Sequence, residues 1–152
     1  MTSVSSGKHP YGIRILLVED DPAQAELIRM GLVNGYCDVE VRHLNDARVA
    51  LEHLESVAEA GSPGRPDFVV VDLRLPGMSG HDLLKAIKAD SRMCTLPVVV
   101  LSTSASDADR VEAYRNGANS YLVKSLDHLE FREMLHDLVK YWSNWNQPMP
   151  VA

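Results

Sequence analysis

Four places along the chain carry side chains that could work together chemically: Glu19-Asp20, Asp72, Ser102 and Lys124. Each closes an apolar run, namely Ile13–Val18, Phe68–Val71, Pro97–Leu101 and Tyr121–Val123. Three carboxylates drawn into one cleft repel, so a proton or a cation must compensate them. Oxygen ligands with no His or Cys beside them favour a hard cation. Magnesium fits, because it takes one or two carboxylates and keeps several waters. Lys124 adds a mobile positive charge and Ser102 a hydroxyl donor. Acids, cation, ammonium and hydroxyl together make a place for a phosphoryl group, whose oxygens need all of these partners. The atom left to receive it is a carboxylate oxygen of Asp72, since aspartyl phosphates are known covalent intermediates.

Each neighbour also has a plainer reading. Asp21 precedes Pro22 and suits the N-cap of a helix more than a metal. Thr103 reads as a loop residue and Tyr121 as a core aromatic. A lone lysine at a strand end is usually a solvated charge; its place in the series acid, acid, hydroxyl, lysine gives Lys124 the other reading. The six histidines have neither ligand nor base spacing and read as surface or structural, His81 included, although it lies nearest Asp72 in sequence. Trp142 and Trp145 are first the end of a core stripe and second a partner contact.

The elements that must position these groups follow from periodicity. Uninterrupted apolar runs mark strands buried on both faces, as in a parallel sheet. Val39, Val41 and His43 alternate with polar residues, as in a strand nearer an edge. Between the strands lie helical patterns: Pro22–Val33, stopped by Asn34-Gly35; 47–60, capped by Asn45 or Asp46; and about ten residues carrying Leu83, Leu84 and Ile87. A fourth is capped by Ser106 or Asp107 and stopped by Asn116-Gly117, and a closing helix runs over Leu126–Trp142. Strand–helix alternation five times over predicts an α/β fold: one doubly wound, five-stranded parallel sheet with helices on both faces and right-handed crossovers. Ligands in such sheets bind outside the carboxyl ends of the strands, where the four polar places fall.

With 152 residues, 45% hydrophobic and 24% charged, the chain suits a single soluble domain. A net charge of −6 argues against a nucleic-acid partner. No apolar run reaches the roughly 20 residues needed to span a bilayer, and Met1–Tyr11 lacks a signal-peptide core. Cys37 and Cys94 read as buried free thiols of a reducing cytoplasm. Residues 1–11 read as a disordered lead-in, 12–143 as the domain and 144–152 as a tail.

Four segments together, LLVEDD, VVVDLRLPGMSG, LPVVVLSTS and NSYLVKS, closely resemble the receiver domain of two-component response regulators over roughly residues 13–142. The resemblance implies a flavodoxin-like strand order 2-1-3-4-5. It implies that Asp72 accepts a phosphoryl group from a phosphohistidine on a sensor histidine kinase. It makes Asp20 and Asp72 magnesium ligands together with the main-chain carbonyl of Arg74, with Glu19 acting through water. Ser102 corresponds to the switch hydroxyl, Lys124 to the lysine that pairs with the phosphoryl group, and Tyr121 to the aromatic that changes rotamer. Arg74 and Thr103 correspond to the variable neighbours that tune dephosphorylation. One position departs: the family's usual cis proline after the lysine is Ser125 here. A cis bond before serine costs about 2.5–4 kcal/mol, so the loop after Lys124 is expected to be trans or rearranged.

No output domain is expected after the closing helix, so the resemblance implies a stand-alone module that signals through its own surface, a phosphoacceptor rather than an enzyme. The Lys124-Ser125 pair, the loop 61–66 and Tyr141-Trp142 also resemble the small response regulators of bacterial and cyanobacterial phytochromes. A homodimer through the last two helices and last strand, with Trp142 and Trp145, is the expected partner surface. Two other classes share these features: an aspartyl-phosphate phosphatase or phosphotransferase, and a flavodoxin-like cofactor binder. The first often needs an acid two residues after the nucleophile, where Arg74 stands. The second needs a phosphate loop where Glu-Asp-Asp-Pro stands.

Overall fold

The computed structural model describes residues 12–150 except Asn34 and Tyr36, so the lead-in 1–11 and the helix stop at Asn34 lie outside the described residues. Five strands, β1 (Ile13–Val18), β2 (Val39–Leu44), β3 (Phe68–Val71), β4 (Val98–Ser102) and β5 (Ser120–Val123), alternate with five helices. These are α1 (Pro22–Leu32), α2 (Ala47–Ser56), α3 (Gly80–Ala89), α4 (Asp107–Arg115) and α5 (His128–Asn144). All strand pairs are parallel, in the expected order β2-β1-β3-β4-β5.

Strand side chains alternate between two cores, as the period of two requires. Leu16, Val18, Val69, Val71, Val98 and Val100 face α2 and α3, meeting Ala50, Leu54, Leu83, Leu84 and Ile87. Ile13, Ile15, Leu17, Phe68, Val70 and Val99 face α1 and α5, meeting Ile28, Leu32, Leu135 and Val139. Trp142 belongs to this second core, its ring stacked on Phe68 at 4.5 Å between centroids. Only Trp145 of the expected contact pair is therefore open to a partner.

Helix boundaries follow caps more than apolar periodicity. Asp21 and Ser106 cap α1 and α4, and Ser79 and Asp82 form a reciprocal capping box on α3. The second helix is shorter than its pattern, ending at Ser56 rather than 60. Ser56 Oγ donates to the His53 carbonyl, and the Arg65 guanidinium takes the Ala58 carbonyl outside the helix. The closing helix starts at His128 rather than Leu126, because Asp127 accepts from the main-chain N–H of Leu129 and Glu130. The cysteines are free, but Cys37 is only half-buried and Cys94 is exposed, against the expectation of two buried thiols. Among the described residues, no helix is long and apolar enough to cross a membrane.

Candidate functional site

Parallel pairing of Val18 with Val71 places the next residues, Glu19 and Asp72, side by side at the carboxyl edge. The pairing of Ser102 with Val123 does the same for β4 and β5, and the Lys124 N–H donates to the Ser102 carbonyl at 2.8 Å. The strands thus bring Glu19, Asp72, Ser102 and Lys124 to one edge, and all four are buried.

Lys124 forks. Its ammonium donates to Glu19 Oε2 at 3.0 Å and to Asp72 Oδ2 at 2.9 Å, with the side chain only 5% exposed. The second oxygen of Asp72 accepts from the Arg74 N–H at 3.0 Å, which turns the loop after β3 back over the acid. Gly80 completes that loop: a Cβ there would lie 2.1 Å from the main-chain oxygen of Asp72. Only glycine lets α3 start so close to the site.

Two carboxylates share one ammonium, and Asp20 stands exposed beside them with no side-chain hydrogen bond or ion pair among the described residues. Burial pushes the Glu19 carboxyl up to about 7; Lys124 pulls it down and the nearby Asp72 charge adds to the rise. For Lys124, burial works to lower the pKa, but hydrogen bonds to Asp72 and Glu19 outweigh it and raise the net value. Glu19, Asp20 and Asp72 against Lys124 leave a net charge of −2 when all are ionised. An all-oxygen set with that excess and one unengaged carboxylate fits a hard divalent cation.

The Ser102 hydroxyl makes no hydrogen bond to the side chain of Asp72 or Lys124; its Oγ accepts from the Ser104 N–H at 3.2 Å. Tyr121 is half-buried against the core, and its hydroxyl donates to the Ser104 carbonyl at 2.9 Å. Thr103 is exposed on the same loop. Arg74 sends its guanidinium across to Asp109 of α4 at 2.9 Å. Asp109 also accepts from Ser104 Oγ and faces His81 of α3. Ser104 and Asp109 were not legible in sequence as site residues, although an acid in the first turn of a helix three residues beyond the serine cap Ser106 was the available signal. Among the described residues there is no cis peptide bond, so Lys124-Ser125 is trans as expected. Ser125 instead builds the turn into α5, accepting from the Asp127 N–H and donating to Glu130, both at 3.1 Å.

A 2-1-3-4-5 parallel sheet with acids after its first and third strands, a hydroxyl closing the fourth and a lysine after the fifth defines a receiver-type domain. The model of the response regulator receiver domain matches residues 15–136, and the chain belongs to that family of two-component signalling proteins. It is 40% identical over 133 residues to the probable methanogenesis regulatory protein FilR2 of Methanothrix harundinacea, covering 88% of this chain and 85% of that one. It is 33% identical to the response regulator Rcp1 of Synechocystis, covering 84% and 87%. The structure of the phosphorylated cyanobacterial phytochrome response regulator RcpA superposes with a TM-score of 0.83 at 31% identity, over 91% of this chain and 99% of that one. A manganese-bound form of Rcp1 superposes with a TM-score of 0.80 at 30% identity, over 91% and 99%.

Proposed function

We propose that Asp72 accepts a phosphoryl group from a phosphohistidine of a sensor histidine kinase in a magnesium-dependent reaction. The observation that carries this reading is the Lys124 fork between Glu19 and Asp72, with Asp20 unengaged beside it. A carboxylate oxygen of Asp72 attacks phosphorus; the P–N bond breaks, its electron pair stays on the leaving imidazole nitrogen, and a P–O bond forms. Asp20, Asp72 and the Arg74 carbonyl would hold magnesium, with Glu19 acting through water, and the ion would supply positive charge at the phosphoryl oxygens. The manganese-bound form of Rcp1 supports such a site.

Lys124 then exchanges its bond to Asp72 for a phosphoryl oxygen, and Ser102 rotates from the Ser104 N–H to donate to another. Releasing that N–H frees the loop between β4 and α4, which carries Tyr121 with it through the Ser104 carbonyl. Arg74 and Thr103 flank the approach of water and set the lifetime of the phosphate. The readout face is α4, β5 and the start of α5, where Val111, Tyr114, Val123, Leu126 and Leu129 are exposed. A homodimer through this face fits the reading, and likeness to Rcp1 and RcpA supports a phytochrome-type kinase as the donor. Such a module works in the cytoplasm, with no nucleic-acid partner of its own.

Incubation with acetyl phosphate tests the acceptor. Wild type should gain an acyl-type phosphate only with magnesium, and Asp72→Ala should gain none. Label persisting in Asp72→Ala would place the acceptor elsewhere.

A further inference from the structure

One cluster outside the phosphoacceptor pocket carries metal-ligating chemistry. His81, in the first turn of α3, faces Asp109 and Glu112, which lie three residues apart and so on one side of α4. His81 Nε2 is 3.5 Å from Asp109 Oδ1 and 3.4 Å from Glu112 Oε2. Ligand atoms from the three residues all lie within 4.8 Å of one another. Zinc–nitrogen and zinc–oxygen bonds of about 2.0–2.1 Å set ligand atoms roughly 3.3 Å apart along a tetrahedron's edges. Two of the three separations already match.

We propose that His81 Nε2, Asp109 Oδ1 and a Glu112 carboxylate oxygen form a zinc site at the junction of α3 and α4. The donor set decides the metal. One imidazole with two carboxylates suits a borderline transition cation, whereas magnesium prefers oxygen alone. Asp109 divides its oxygens for the purpose: Oδ2 takes Arg74 and Ser104, leaving Oδ1 turned to His81. The Ser104 hydrogen bond also holds Asp109 below the usual carboxylate range, so it meets the cation already ionised.

His81 is 14% exposed and its Nδ1 is buried with no hydrogen-bond partner, so the ring's polar engagement runs entirely through Nε2. Glu112, 57% exposed, reaches His81 from the solvent side, which leaves a fourth position for water. The site uses neither Asp20 nor Asp72 and stands whether or not the phosphoacceptor reading does.

Titration of zinc chloride into the full chain, in excess magnesium to fill the acidic pocket, tests it. One zinc per chain is expected. Loss of even an outer partner weakens metal sites by about 10–100-fold, so His81→Gln and Glu112→Gln should each weaken binding at least about tenfold. Asp20→Asn should leave the affinity unchanged. Urea titrations in chelator confirm that each variant folds, and the exposed position of Glu112 makes its variant the safer one. Absence of saturable binding, or binding that either His81→Gln or Glu112→Gln leaves intact, would overturn the site. So would loss of zinc binding in Asp20→Asn, which would place the ion in the acidic pocket.

Discussion

At the residue scale the pocket is governed by an imbalance, two buried carboxylates on one ammonium. Lys124→Ala leaves Glu19 and Asp72 facing each other without a partner, and breaking a buried ion pair on one side costs about 3–5 kcal/mol. Urea titration in chelator should show that loss, and added magnesium should restore part of it; equal stability in chelator would mean that the fork contributes nothing. Glu19 supplies a second test. Its carboxyl sits at about 7 in the fold against 4.5 in the open chain, so between these values the folded state binds the extra proton. Without metal, this contribution is full below 4.5 and is lost as pH rises through 7. Stability measured in chelator should therefore fall from pH 5 to pH 8, and Glu19→Gln should flatten the slope. A slope unchanged in Glu19→Gln would assign it to other groups.

At the element scale the loop after β3 is shaped by one close approach. The first turn of α3 rests on the main chain of Asp72 and Leu73, with the Gly80 N–H donating to the Leu73 carbonyl at 3.1 Å. Gly80→Ala forces main chain, not a flexible side-chain tip, to move. The expected loss is about 1–3 kcal/mol. Because the displaced oxygen belongs to Asp72, labelling by acetyl phosphate should slow in the same variant. A fully stable Gly80→Ala with wild-type labelling would show that the loop yields freely. The loop between β4 and α4 is held differently, by Ser102, Tyr121 and Asp109 all meeting at Ser104. Several weak ties on one residue make it the element best placed to respond when Ser102 turns.

At the scale of the whole molecule the two cores differ in what they leave outside. The α1–α5 side is closed by the Phe68–Trp142 stack, whereas α4 buries only Ala113. Its apolar Val111 and Tyr114 stay exposed near Val123, and Leu126 is 97% exposed. These are the side chains that the proposed homodimer would cover. Size exclusion should show an earlier-eluting species after acetyl phosphate treatment, and Leu126→Asp together with Val123→Asp should abolish it while labelling persists. Elution unchanged by phosphate would remove dimerisation from the switch.

Much of this was written in local pattern. Apolar runs of period two and stripes of period 3.6 specify strands and helices from neighbours alone, and parallel pairing then obliges Glu19, Asp72, Ser102 and Lys124 to meet. The motifs around them carry the resemblance to receiver domains in the sequence alone. Boundaries set by competing hydrogen bonds were less legible: Ser56 and Arg65 shorten α2, and Asp127 delays α5. The contacts decided only by tertiary structure join residues whose sequence separation carries no signal. Arg74 reaches Asp109 over 35 positions and His81 reaches it over 28. Periodicity says which face of a helix turns inward, but not which side chain of the next helix it will find there. For that reason Trp142 proved to be core while Trp145 stayed outside, and His81, plain in sequence, came to stand between two carboxylates.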